Sequence, residues 1–469
     1  MTMREAIAGK EMVIAFPSHL AEGMLPLLQA EIAEFVAVFG APIRFVEQAP
    51  ACGPRWIVDE SPDTQVNSLR WDSDSLTLTS LVRDKAGLGA TLQMLHSLVA
   101  LEVDELNDAQ VDDLPAAIRR LSTEIERGFP GFDIRGLDWT AIRAEFPSDE
   151  EMTLDDVQRM VARLQDGHTA VRQNVPVYNP PYAVELEDDR AIIRRVADWS
   201  AAAQAGVGPG RTLEINDADG WLARTGSPPH SHALVAGRRA IAFNGVTERE
   251  FTATSPNGEQ RSWIERAAPF SLDKLMPDHV VVGNIVYVRL HNWIDGVGIP
   301  ERFDQIISEH AHRDTLVLDL RGNTGGNLLL AQHTRRRFLR ERTLLGTIQF
   351  TQADGKLAPP VELWDEPLES GCWHGDLVVL TDPLTYSASE DFLHGLQGLP
   401  HVTVIGSPSG GGSGRPRTLP LVPGWSVTMS TALTFDRNGH CIEGQGIPVD
   451  IPVEPFGEQW RTHLGLTLP

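Results

Sequence analysis

Four stretches of the chain hold residues whose types and spacing could do chemistry. The first is Leu377-Val-Val-Leu-Thr-Asp-Pro-Leu-Thr-Tyr-Ser-Ala-Ser-Glu-Asp-Phe-Leu393. It reads as an apolar strand, a Pro-containing turn and a helix starting near Ser387. Ser387 and Glu390 have the Ser-x-x-Glu spacing of a capping box, a purely structural device. The same position suits a nucleophile, because a helix start stabilises negative charge developing beside it. The second stretch, Thr315-Leu-Val-Leu-Asp-Leu-Arg-Gly-Asn-Thr-Gly-Gly-Asn327, runs from an apolar strand through a glycine-rich turn into a helix. Such a turn aims backbone N–H groups at an anion, either a phosphate or the oxyanion of a tetrahedral intermediate. A phosphate site calls for Gly-Lys-Ser/Thr or Gly-x-Gly-x-x-Gly, and neither is present. The oxyanion reading therefore leads, with a plain tight turn as the bland alternative. The third is Leu164-Gln-Asp-Gly-His-Thr169, where His168 sits in a loop just past a helix. The fourth, Asp436-Arg-Asn-Gly-His-Cys-Ile-Glu-Gly-Gln-Gly-Ile-Pro-Val-Asp-Ile451, sets Glu443 beside glycines after a turn. Taken singly, His168 reads as one surface residue among fifteen histidines, and Glu443 as a solvated carboxylate.

The elements around these stretches set where they would lie. Residues 283 to 456 alternate strands and helices: Ile285 to Leu290, a helix from Ile299 to Ala311, Thr315 to Leu320, a helix from Asn327 to Leu339, Asp376 to Thr381, the helix from Ser387, and Val402 to Ile405. That order predicts βαβ units around a buried sheet, with a hairpin and a returning strand from Arg417 to Val453. Before it, Leu114 to Arg127, Asp138 to Phe146 and a segment opening at Thr153 have helical periodicity. Leu154, Val157, Met160, Val161 and Leu164 share one face of the third, and Gly167 is expected to stop it. Residues 176 to about 268 read as a mainly β module with Pro and Gly breaks. Residues 11 to about 105 read as a small α/β unit. Its strands are expected at Met12 to Phe16, Arg44 to Val46, Arg55 to Val58 and Ser75 to Val82, with helices at Leu20 to Phe39 and Leu88 to Val103.

Together the motifs resemble the S41 peptidases, a family that spans C-terminal processing proteases, tricorn core proteases and interphotoreceptor retinoid-binding-protein-like modules. Asp319-Leu-Arg-Gly-Asn-x-Gly-Gly326 is similar to the family's signature turn, and Ser387-Ala-Ser-Glu390 to its nucleophile motif. Asp166-Gly-His-Thr169 resembles its base motif, Asp138-Trp139 the marker of its helical cap, and Glu443-Gly-x-Gly-Ile-Pro-x-Asp-Ile451 its closing motif. Five motifs in family order, over roughly residues 115 to 455, make the resemblance specific. It implies an α/β fold: a crotonase/ClpP-like catalytic core at 271–469, a helical cap carrying the His loop at 111–175, and a degenerate PDZ-like module at 176–270. Residues 1–110 would be an additional N-terminal α/β domain of unassigned role. Within the PDZ-like segment, Ala205-Gly-Val-Gly-Pro-Gly-Arg-Thr-Leu-Glu-Ile-Asn216 follows the usual run, with Arg211 in place of the expected acidic residue. No carboxylate-binding Gly-Leu-Gly-Phe loop is evident.

One family branch uses a Ser/Lys dyad, with the lysine about 25 residues after the serine. This chain has only Lys10, Lys85, Lys274 and Lys356, all before Ser387, and Arg415 at the corresponding place stays protonated. The other branch, similar to tricorn, uses Ser, His and Glu. The resemblance thus implies Ser387 as nucleophile, His168 as general base and Glu443 as orienting acid. The backbone N–H groups of Gly325 or Gly326 and of Ala388 would form the oxyanion hole, with Thr169 and Asn323 in support. The function expected is hydrolysis of peptide bonds through an acyl-enzyme. The alternatives are an S41-like binding protein that has lost turnover and a biosynthetic acyl-transfer or processing enzyme with one dedicated substrate. The partner expected is a peptide or protein substrate, and homo-oligomerisation is left open.

Bulk properties agree with an acidic enzyme. A net charge of -24 disfavours nucleic acid and anionic membrane surfaces. No segment is apolar over a membrane-spanning length, and the N-terminal residues lack a signal-peptide pattern. Cys52, Cys372 and Cys441 form neither a disulfide framework nor a zinc motif, so no metal or cofactor is expected and a cytoplasmic setting is.

Overall fold

The computed structural model describes residues 3–15, 43–46, 48–84, 87–88, single positions between 91 and 98, 104–109, 113–267, 276–294, 298–352, 355–369 and 371–465. The expected helix at Leu20 to Phe39 lies outside these residues, and most of that at Leu88 to Val103 does too. The chain folds as two compact units. One comprises Met1–Thr153, Ile348–Val361 and Arg415–Leu433, and the other Leu154–Thr347, Glu362–Gly414 and Thr434–Pro469. The segment expected as a cap contributes to both.

The first unit holds a six-stranded sheet in the order Ile43–Val46, Met12–Ala15, Arg55–Glu60, Thr77–Val82, Ser68–Asp72, Glu105–Asn107. Its first four strands are parallel, and Ser68–Asp72 runs antiparallel to both of its neighbours. Met12, Ile14, Trp56, Val58, Leu69, Trp71 and Leu78 make its core. Ser68–Asp72, which buries Leu69 and Trp71 at alternate positions, is an additional strand that the sequence reading passed over. The helix Leu114–Gly128 starts where Asp113 accepts the Ala116 N–H at 3.2 Å, and it buries Ala117, Ile118, Leu121 and Ile125. Asp138 caps Trp139–Ala144 in the same way, at 3.1 Å from Ala141 N.

The second unit contains α1 (Leu154–Ala162), a five-stranded antiparallel sheet with short helices, and the main sheet. In the antiparallel sheet the order is Gln260–Arg266, Glu248–Thr254, Thr212–Leu213, Arg190–Val196, Tyr182–Glu187. The helix α2 (His232–Ile241) packs Ala236 and Ile241 into that sheet's core with Val184, Ile193, Phe251 and Trp263. The module is therefore less purely β than its Pro and Gly breaks predict; Leu234, Ala236, Ala240 and Ile241 are buried at helical spacing.

The main sheet runs β1 (Asp278–Val282), β2 (Ile285–Arg289), β3 (Thr315–Asp319), β4 (Asp376–Thr381), β5 (Val402–Gly406) and β6 (Ile451–Pro452). Only the β1–β2 pair is antiparallel. Helices α3 (Ile299–Glu309), α4 (Leu328–Arg336) and α5 (Ala388–Leu393) fall between its strands. β3 and β4 are almost wholly buried, as continuous apolar strands covered on both faces must be. Val288, Leu316, Leu318, Val379 and Val404 share a core with Phe303 of α3, Phe392 of α5 and Phe338 just past α4. The ends of β3 and β4 abut in register, Asp319 beside Leu380, and this brings two of the chemistry-bearing stretches together.

Candidate active site

The signature turn is held by a buried ionic cluster at the end of β3. The Asp319 carboxylate accepts from Tyr287 Oη at 2.7 Å and from Arg321 N, Nε and Nη2 at 3.0, 2.9 and 2.8 Å. Arg321 and the neighbouring Arg289 hold this carboxyl well below the usual range in spite of its complete burial. Arg321 also donates to the carbonyls of Pro455 and Gly457, tying the turn to the chain's closing segment. A buried charge kept in this way needs every lone pair occupied, and here it has four donors.

From that anchor the turn reaches Ser387. Asn323 is buried; its Nδ2 donates to the Leu290 carbonyl at 3.0 Å and its Oδ1 accepts the Gly325 N–H at 3.0 Å. The Asn323 carbonyl in turn accepts from Tyr386 N at 3.0 Å and Ser389 Oγ at 3.1 Å, one residue before Ser387 and two after. Trp293 Nε1 completes the brace by donating to Ser389 Oγ at 2.9 Å. Gly325 has φ +100°, and a Cβ there would lie 2.8 Å from Ser387 Cβ and 3.0 Å from Ala388 N. No larger residue fits both the backbone conformation and the gap.

Ser387 is the N-cap of α5 and has φ 57° and ψ -121°. This is a conformation that non-glycine residues rarely adopt and that costs about 1–3 kcal/mol. Its N–H donates to Glu390 Oε2 at 3.1 Å, so the carboxylate half of the expected capping pair is present. Among the described residues the N–H groups of Ala388 and Gly326 have no acceptor. That of Gly325 is taken by Asn323, which separates the two glycines named from the sequence.

Glu390 does more than cap. It is fully buried, and it also accepts Ser409 Oγ at 2.6 Å and the N–H groups of Gly411 and Gly412 at 2.8 Å each. One carboxylate thus joins the Ser387 turn to the glycine loop Ser409–Ser413. Burial pushes it up to about 7 against the pull of its donors. The next N–H along that loop, Ser413, goes to Glu443 Oε1 at 3.0 Å, and Thr434 N to Glu443 Oε2 at 2.7 Å. Glu443 is buried too; desolvation pushes it up to about 7, and the charge of Glu390 adds to the rise. Both of its oxygens are thus engaged by backbone amides, a use that the linear chain does not display. An acceptor sealed among otherwise unpaired N–H groups satisfies those first.

His168 lies on the loop after α1. Its N–H faces Asp166 Oδ1 at 3.4 Å, while Thr169 Oγ1 donates to Asp166 Oδ2 at 2.5 Å. The left-handed turn that ends the helical segment falls on Gln165, with φ 54°, and not on Gly167. Gly167 is small for another reason: a Cβ there would sit 2.7 Å from Tyr386 Oη. The Tyr386 ring also lies against Gly410 and Gly412, and it meets the His168 ring with centroids 4.6 Å apart. The residue before Ser387 is therefore the contact between the His loop, the glycine loop and the Ser387 turn. Sequence reasoning passed over Tyr386 and saw Glu390 only as a cap. The one signal for it was three glycines in a row opposite an aromatic residue.

A strand-to-helix turn carrying a strained serine, with the free N–H of Ala388 next to it, has the means to present a hydroxyl and hold a developing negative charge. Residues 284–453 match the protein-family model described as Peptidase family S41. A carboxy-terminal-processing protease of Bartonella bacilliformis is 32% identical over 146 residues, which are 31% of this chain and 32% of that protein. The chain thus spans about a third of the length of this curated relative. Mature CPAF complexed with lactacystin aligns with a TM-score of 0.56 at 13% identity, over 72% of this chain and 93% of that one. The photosystem II D1 C-terminal processing protease aligns at 0.50 and 17% identity, over 74% and 94%. These two likenesses establish a shared fold.

Proposed function

We propose that this chain is a serine peptidase that cleaves peptide or protein substrates through an acyl-enzyme on Ser387. The observation that carries this is Ser387 held at positive φ at the start of α5, beside the acceptor-free N–H groups of Ala388 and Gly326. In this reading His168 takes the Ser387 hydroxyl proton as Oγ attacks the substrate carbonyl, and returns it to the leaving amine. The carbonyl oxygen, negative in the tetrahedral intermediate, accepts from Ala388 and Gly326. Gly325 contributes its shape and Asn323 positions it. Thr169 fixes the His loop through Asp166. Glu443 is the orienting acid of this reading and holds the segment around Ser413. The antiparallel module at Tyr182–Arg266 is read as a degenerate PDZ-like element.

A fluorophosphonate probe followed by peptide mapping tests the assignment. Ser387 is expected to carry the adduct, and Ser387→Ala to lose both label and peptide hydrolysis while remaining folded by circular dichroism. An adduct on Ser389 or Ser413 with Ser387 bare would overturn it.

A further inference from the structure

Away from these residues, three side chains converge that the peptidase reading does not use. His279 lies on β1, the edge strand of the main sheet; Glu309 is the last residue of α3, and His310 is its C-cap. One ligand atom from each lies within 4.8 Å of the other two. The two imidazole rings are 4.9 Å apart between centroids, tilted by 52°. His279 Nδ1 and both ring nitrogens of His310 are shielded from solvent and have no hydrogen-bond partner. A neutral imidazole has one donor and one acceptor to satisfy, and buried polar atoms without partners are uncommon. Here two neighbouring rings share the defect, and both face the same carboxylate.

An imidazole ligates a metal through an unprotonated ring nitrogen. Glu309 supplies the negative charge; its Oε1 accepts from Gln305 Nε2 at 2.7 Å, the kind of outer hydrogen bond that orients a carboxylate ligand. A tetrahedral zinc ion at about 2.0–2.1 Å from its ligands needs them about 3.4 Å apart. Side-chain rotation can close the remaining gap, since Glu309 is exposed and both rings are only partly enclosed.

We propose that His279, Glu309 and His310 bind a divalent transition metal of the zinc class, which fastens the edge strand β1 to the end of α3. Two imidazoles and one carboxylate leave a fourth position for water. A cation there takes up one nitrogen of each ring and secures a strand that has a neighbour on one side only.

The test uses the full chain stripped with a chelator. Zinc chloride is titrated in competition with a chromophoric chelator, and cobalt(II) chloride is added in parallel while visible absorption is followed. One equivalent of zinc should bind, and cobalt should give the intense bands of a four-coordinate ion. His279→Gln and His310→Gln should each weaken zinc binding by at least about tenfold, and zinc should raise Tm in the parent but not in either variant. No stoichiometric binding would overturn the proposal, as would binding unchanged in both variants. If His310→Gln fails to fold, His279→Gln on the edge strand decides the question alone.

Discussion

In the proposed mechanism Ser387 and the groups touching it carry the chemistry, and their surroundings make sharp demands. Gly167 lacks a side chain because Tyr386 Oη occupies the space. Gly167→Ala should push Tyr386 or the His168 loop aside and lower kcat/KM by about tenfold or more, since a shift of about 1 Å in a reacting group can cost 10²-fold. Tm should change little, as the displaced groups are loop residues. Steady-state kinetics beside thermal melts check both parts, and a fully active Gly167→Ala enzyme would remove Tyr386 from the site. Glu443→Gln makes a different prediction. An amide keeps one acceptor oxygen but presents an NH2 to the second backbone N–H, at Ser413 or Thr434. The misplaced donor in a buried place should cost about 1–3 kcal/mol and impair turnover more than about tenfold. A variant with parental Tm and turnover would show that the carboxylate does neither job.

Among the elements, the start of α5 and the glycine loop Ser409–Ser413 are linked by Glu390, and this makes the link sensitive to pH. Burial raises both Glu390 and Glu443 from an ordinary 4.5 to about 7. Between those values the folded protein holds protons that the unfolded chain has released, so stability falls as pH rises. The contribution is present in full below about pH 4.5 and is lost as pH rises through about 7. Thermal melts across this range should show Glu390→Gln with a shallower decline than the parent, by of order 1–3 kcal/mol. Comparing variant with parent cancels carboxylates such as Asp319 that are shifted the other way. Parallel curves for the two proteins would show that Glu390 titrates normally.

For the whole molecule, the distribution of bases gives the proposed mechanism its test. All four lysines precede Ser387, and Lys10 and Lys356 belong to the other compact unit. Each Lys→Met variant should hydrolyse peptides within about threefold of the parent, while His168→Gln should lose activity by about 10³-fold or more, as loss of a triad base does. Assays of the five variants under one set of conditions decide it. A fully active His168→Gln enzyme would end the His-base reading, and an inactive Lys variant would reopen a dyad. Within the described residues no helix is long and apolar enough to cross a membrane.

The sequence alone determined the βαβ order of the second half and most strand limits there. These depend on local periodicity and on residues three apart, which the linear chain displays. It named Ser387, His168 and the Gly325–Gly326 turn only through the resemblance of their motifs to the family's, each being ordinary alone. Only the tertiary structure decided which glycine keeps an unpaired N–H, because Asn323 engages the other through a side chain that no spacing predicts. It likewise decided that Glu443 faces the amides of Ser413 and Thr434, and that Glu390 gathers Ser409, Gly411 and Gly412. His279 joined Glu309 and His310 across about thirty residues for the same reason: which groups meet in a buried space depends on how β-strand and helix pack, and packing pairs positions that share no register in the chain.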